Sequence, residues 1–232
     1  MIKSIISFLL FSFYMQTFAI VYPIHGQTNI KCGTINNLIT FGETGITQTR
    51  PQLNGEQIKL TDHFRLHYTF LPPDSTFQQW VDSISIFAES SWVRIERLGY
   101  ALPPPDGVNG GDSKYDIYIR SQIHKGVAIA ESLYAVEPYY YGYTSWIGII
   151  RGPFSDNFTH PYSMFERLRA LVAHEFHHAC QIRYRDITRA SDVWIHENTS
   201  TYIEHIVFPE VNILPYRLST AMNPLDSPFL QI

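Results

Sequence analysis

Between Tyr162 and Thr188 the chain runs without a proline, and its apolar residues recur at helical spacing. Phe165, Leu168, Leu171, Val172, Ala179 and Ile182 form one stripe, which predicts a strongly apolar helix from about 161 to 183. Set into this helix is His174-Glu175-Phe176-His177-His178, an HExxH pattern. Residues four apart share a helical face, with Cβ atoms about 5–6 Å apart. Two imidazoles at that separation converge on one ion at about 2.0–2.1 Å. Glu175 is rotated away from the ligand positions but stays beside the open coordination site, where it can take a proton from water. His177 sits on the flank of the helix, in a packing or hydrogen-bonding role. HExxH alone is moderately specific, so the rest of the chain decides how it is read.

The 232 residues suit one ordinary domain with or without an appendage. Hydrophobic residues make up 45% and charged residues 16%, the balance of a folded globular chain. Net charge is −4 and no run of Lys or Arg appears, which excludes the electrostatic footprint of a nucleic-acid binder or a polybasic membrane patch. Lys3 precedes the apolar segment Ile5–Tyr14, as in a secretory signal peptide over 1–26 with cleavage near 19 or 26. An uncleaved membrane anchor is the alternative. The chain is therefore expected to be secreted, periplasmic or at the cell surface. Cys32 and Cys180 leave three arrangements open. One is a Cys32–Cys180 disulfide pinning the N-terminal strip to the long helix. Another is Cys32 capping the metal as a latency switch. The third is two free buried thiols.

Residues 27–60 are polar and broken by Gly and Pro, and are expected to form an N-terminal arm or pro-segment. A domain is expected over 61–232. Phe64, Leu66, Tyr68 and Phe70 alternate with Arg65, His67 and Thr69, which predicts a half-buried strand over 62–71. Pro72-Pro73-Asp74-Ser75 offers a helix cap, and Trp80, Ile84, Phe87, Trp92 and Ile95 predict a helix from 76 to 98, ended by Gly99. The Gly-rich loop from Asp106 to Asp112 holds carboxylates that suit Ca2+, but without a specific ligand spacing; a plain loop is favoured. Strands are expected at 115–120, 127–135 and 145–151, with Tyr139–Tyr143 as an aromatic loop, and a last helix at 192–207. Strand, helix, strands, then two helices is an α+β layout. The glycosylation-type triplets at Asn157 and Asn198 are read as accidental.

The last helix strengthens HExxH. It carries Trp194, Glu197, Tyr202 and Glu204, with Glu197 19 positions after His178. Here the sequence resembles the gluzincins, the metallopeptidase clan of thermolysin-like and aminopeptidase N-like enzymes. Their pattern is HExxH, a connection, then a helix carrying a Glu ligand. The Trp-x-x-Glu-x-x-x-x-Tyr-x-Glu run is similar to the aminopeptidase N-like branch. Cys32-Gly33-Thr34, His63–Tyr68, Gly110–Tyr118 and His174–Gln181 also resemble a family of secreted bacterial proteins read as zinc metalloproteases. Together these likenesses span about 30–208.

The resemblance implies a zincin-like metallopeptidase domain with a mixed sheet and one catalytic Zn2+. His174, His178 and Glu197 would be the metal ligands and Glu175 the catalytic base, acting on a protein or peptide substrate. In zincins the strand beside the active helix binds extended substrate backbone. Asn198 and Ser200 stand where Gly and Ala are usual. Only 28 residues follow Glu204, so either the chain is truncated before the subdomain that usually supplies an oxyanion donor, or the donor comes from elsewhere, with Tyr216 and His205 as weak candidates. Glu204 and Thr201 are candidates to orient the ligand imidazoles. His196 is expected in an ordinary surface or packing role. The expected function is zinc-dependent peptide hydrolysis, as an endopeptidase; the rival is a zincin-fold binding or surface protein that has lost catalysis.

Overall fold

A computed structural model describes residues 32–34, 49–121, 125–136, 140–154, 161–184 and 193–216, except the side chains of 135, 136, 140, 141, 193 and 194. The expected signal peptide, most of the arm, the triplet at 157–159 and the tail beyond 216 lie outside the described residues. Among them are five strands, three α-helices and a short 3-10 turn, the α+β class expected. No described helix is long and apolar enough to cross a membrane.

The strands are β1 Gln57–Leu60, β2 Phe64–Tyr68, β3 Tyr115–Arg120, β4 Gly126–Val136 and β5 Tyr140–Ile150. They form one mixed sheet in the order β1-β2-β3-β5-β4. The β2–β3 and β3–β5 pairs are parallel; the two outer pairs are antiparallel. β4 is thus an edge strand. Two expectations change. β1 belongs to the segment read as an arm, because its four residues are too short and too polar to stand out before pairing with β2. Residues Tyr140–Tyr143, expected in a loop, are the start of β5. Cross-strand pairing with 133–136 extends that strand beyond its apolar half, and Tyr143 packs on the core.

Helix α1, Gln78–Arg97, buries Trp80, Ile84, Phe87 and Ile95 as its spacing predicts. Its N-cap is Phe77, with no side-chain cap. The expected cap at Asp74 is not used, because Asp74 Oδ1 accepts from the Ser121 amide at 2.7 Å instead. Helix α2, Met164–Ile182, starts with a capping box in which Ser163 and Glu166 satisfy each other's amides. α3 spans Val193–Val207. α2 packs against α1, α3, β4 and β5. Phe176 sets its rotation: the ring meets Phe64 at 5.4 Å, Trp92 at 5.5 Å and Tyr115 at 5.9 Å between centroids. Such aromatic pairs each add about 0.5–1.5 kcal/mol beyond burial.

The other sheet face is mixed: Tyr118, Val127, Ile129 and Trp146 form a small buried apolar cluster beside charged side chains. Arg50 binds Asp106, Asp116 and Glu131 together, joining the segment before β1, the loop before β3, and strands β3 and β4. His67 stands 2.8 Å from Asp116 Oδ1 and stacks on Tyr118. Asp112, at the end of the Gly-rich loop, pairs with Arg65 at 2.8 Å. Arginines therefore take the loop carboxylates considered for Ca2+. Gly110 in this loop has φ +80°, and a Cβ there would meet the Asp116 carboxylate at 2.3–2.4 Å.

Arg50→Met leaves three largely buried carboxylates without their shared cation. The expected loss is about 3–5 kcal/mol of stability, read as a lower urea midpoint. An unchanged midpoint would show that water replaces the guanidinium.

Candidate metal centre

Two turns of α2 and one of α3 meet behind β4, and four potential ligands converge there: Cys32, His174, His178 and Glu197. Their ligand atoms all lie within 4.8 Å of one another. His174 Nε2 and His178 Nε2 are 3.1 Å apart. Glu197 Oε2 is 3.3 Å from the first and Oε1 3.4 Å from the second. Ligands about 2.0–2.1 Å from a tetrahedral ion sit about 3.3–3.4 Å from each other. The two nitrogen–oxygen separations, each to a different oxygen of Glu197, fall in that range, and the two nitrogens lie slightly closer together.

Proton placement decides what this cluster can hold. His174 Nδ1 is 2.7 Å from Glu204 Oε1, and an ionised carboxylate only accepts, so Nδ1 carries the proton. Gln181 Nε2 donates to Thr199 Oγ1 at 2.8 Å and to the His196 carbonyl at 3.3 Å, which turns Gln181 Oε1 toward His178 Nδ1 at 2.7 Å. His178 is therefore protonated at Nδ1 as well. Both Nε2 lone pairs face the same point as the Glu197 carboxylate. Three acceptors aimed at one buried spot repel one another unless a cation lies between them.

Without a metal, protons take the place of that cation: the titration directions keep both imidazoles protonated at Nε2 as well, where they donate to Glu197. Burial alone would lower the His174 imidazole, but Cys32, Glu197 and Glu204 outweigh it and hold it well above its ordinary value. Burial likewise opposes His178, yet Cys32 and Glu197 push it up to about 10. Burial would raise Glu197; hydrogen bonds from both imidazoles hold it below the usual carboxylate range. The pocket favours positive charge at its centre.

Glu175 is completely buried. Burial raises its carboxyl above the ordinary range, partly offset by the nearby imidazoles and by Thr34. Thr34 Oγ1 donates to its Oε2 at 2.8 Å, while Oε1 has no hydrogen-bond partner. The backbone of Gly126, at the start of β4, flanks this carboxylate so closely that a Cβ there would meet Glu175 Cγ at 2.5 Å. Only glycine leaves room for the carboxyl group beside the edge strand.

The four residues predicted from the motif, His174, Glu175, His178 and Glu197, are together. Glu204, buried and bonded to His174, is the orienting partner expected of it; Thr201 has no such contact among the described residues. Ser200, where Ala is usual, bonds His177 Nδ1 at 2.8 Å and approaches His178 Nδ1 at 3.2 Å. His177 is buried against the Tyr100 edge, as a packing residue, and burial with the two neighbouring imidazoles lowers it to about 3. Tyr216 packs on Tyr162 ahead of α2 and is remote from the cluster: about 15 Å of helix separates Met164 from His174. Thr34, Gly126 and Gln181 were not predicted. Thr34 and Gln181 stood within motifs that carry the resemblance, and Gln181 also lies one turn beyond His178, but neither was read as a site residue.

The disulfide does not form: both cysteines are free and buried. Cys180 follows His178 by two residues, about 200° around the helix. It therefore faces the apolar core while Cys32 faces the imidazoles.

No family model matches the chain, and no curated protein or solved structure matches it either.

Glu204→Ala removes the acceptor that orients His174. Metal affinity is expected to fall roughly 10–100-fold, measured by competition with a chromogenic chelator. Unchanged affinity would mean that helix packing alone aims the ring.

Proposed function

We propose that the chain is a secreted zinc-dependent peptidase of the gluzincin type, with His174, His178 and Glu197 as metal ligands and Glu175 as general base. The observation that carries this reading is the convergence of two imidazole Nε2 atoms and a carboxylate within 3.1–3.4 Å of one another, beside a buried carboxyl group outside that cluster. A nitrogen and oxygen donor set of this size suits Zn2+ better than a hard cation, which takes six or more oxygens. The sequence likeness to a zincin-like domain adds support, as does the signal-like N-terminus.

A bound zinc would supply Lewis acidity, bringing the pKa of water toward about 7 and polarising a carbonyl. The rest falls to this chain. Burial raises Glu175 above the ordinary carboxyl range, which favours its accepting a proton and then donating it. Its oxygens stand beside β4, whose outer edge, paired to Cys32–Gly33 at Gly126, could hold an extended peptide by main-chain hydrogen bonds once that segment leaves. Glu175 takes the proton of the attacking water and passes it to the leaving amine. Glu204 and Gln181 keep both ligand imidazoles in the Nδ1–H form throughout.

Elemental analysis of the purified protein is expected to find about one zinc per chain, sharply reduced in Glu197→Ala. Glu175→Gln is expected to retain zinc and lose roughly 100-fold or more of the peptide hydrolysis. Zinc retained without Glu197 would refute the ligand assignment, and a fully active Glu175→Gln protein the base assignment.

A further inference from the structure

The segment Cys32-Gly33-Thr34 occupies every feature that the proposed peptidase would offer to a substrate. Cys32 Sγ completes the ligand cluster with His174, His178 and Glu197, and lies 3.5 Å from Glu175 Oε2. Thr34 Oγ1 donates to the same carboxylate oxygen at 2.8 Å. The segment also docks on the free edge of β4. Cys32 bridges Gly126 in parallel, the Gly33 amide donates to the Gly126 carbonyl at 2.9 Å, and the Ala128 amide donates to Thr34 Oγ1 at 2.7 Å. All three residues are buried, Cys32 at 3% exposure and Thr34 at 0%.

We infer that this segment is a built-in inhibitor: Cys32 is a fourth metal ligand, Thr34 occupies the base, and the backbone between them fills the substrate edge of β4, so the chain is latent until the segment is displaced. The inference rests on the metal-site reading above and adds its regulation. Two contacts beyond the sulfur distinguish it from a structural four-ligand site. A structural site needs the sulfur, but it has no use for a threonine on a carboxylate that is not a ligand, nor for a backbone bridge on the adjacent edge strand. Structural sites are closed and catalytic sites keep one position open; here a short peptide closes that position. Ligation releases the Cys32 thiol proton to solvent, because the thiolate is the ligand form. Opening exchanges the sulfur for water and returns a proton to it. No electron transfer is involved, so displacement by another thiol-binding group or by cleavage of the strip would serve equally.

The purified full chain, reconstituted with cobalt(II) and separately with zinc, tests this. Wild type is expected to show thiolate-to-cobalt charge-transfer absorption in the near-ultraviolet, together with the visible bands of a four-coordinate ion. Cys32→Ala is expected to lose the charge-transfer absorption and keep the metal. With zinc it should hydrolyse a broad peptide library roughly tenfold faster or more, as when the open state of the wild type is populated below about one part in ten. Cys32→Ser, which keeps the side-chain volume, should behave in the same way and covers a folding defect in the alanine variant. Cys32→Ala with Glu175→Gln should lose the gained hydrolysis, which ties the gain to this site. Metal binding without a charge-transfer band in the wild type would overturn the inference and leave the three-ligand centre standing. Loss of metal, or no gain of hydrolysis, in both Cys32 variants would make the sulfur structural and overturn latency. Failure of the wild type to bind either metal would overturn the centre and the inference together.

Discussion

Two imidazole nitrogens 3.1 Å apart, with carboxylate oxygens at 3.3 and 3.4 Å, crowd one buried spot. Positive charge must lie among them, as protons on the imidazoles or as a metal ion, and the surroundings must hold the groups in place. Glu204 and Gln181 do so by binding the Nδ1 protons, and Phe176 does so by fixing how α2 is rotated against the sheet. A divalent cation would replace the Nε2 protons. The centre therefore stores in the folded chain the geometry that a metal requires, and metal binding and folding should reinforce each other.

Glu175, the proposed base, shows how a buried carboxyl group and its surroundings constrain each other. Burial raises its carboxyl, yet the group stays beside the edge of the sheet. Gly126 reconciles the two by giving up its side chain, so that the strand backbone and the carboxyl group touch. The same closeness makes the site easy to block. A three-residue segment that pairs with Gly126 and Ala128 is automatically within reach of Glu175 and the ligand cluster.

The opposite face of the sheet meets a related demand with a different cation. Asp106, Asp116 and Glu131 converge on the Arg50 guanidinium, which ties the segment before β1 to the far edge strand. The sheet is thus fastened on both faces, by aromatic packing against α2 on one and by a buried charge cluster on the other. Pairing of β1 with β2 makes residues 57–60 part of the sheet.

Local periodicity made much of this legible. α2 and its HExxH register, α1, β3 and the helix carrying Glu197 follow from apolar spacing of 3.6 or 2 within single segments. Such patterns need no partner to be read. The spacing of His174 and His178 alone placed them on one face, and the likeness of the second helix pointed to Glu197 and Glu204. What tertiary structure decided is whatever depends on residues far apart in the chain. Thr34 meets Glu175 across 141 positions and Arg50 meets Glu131 across 81. The fate of Cys32 was of this kind: the sequence offered disulfide, ligand or free thiol, and only the docking of its backbone on Gly126 set it facing the imidazoles, with Cys180 turned into the core. Nothing in a local pattern encodes which edge a short segment will join. That choice depends on a free strand edge and on a glycine that leaves room beside it, and both exist only once the sheet has formed.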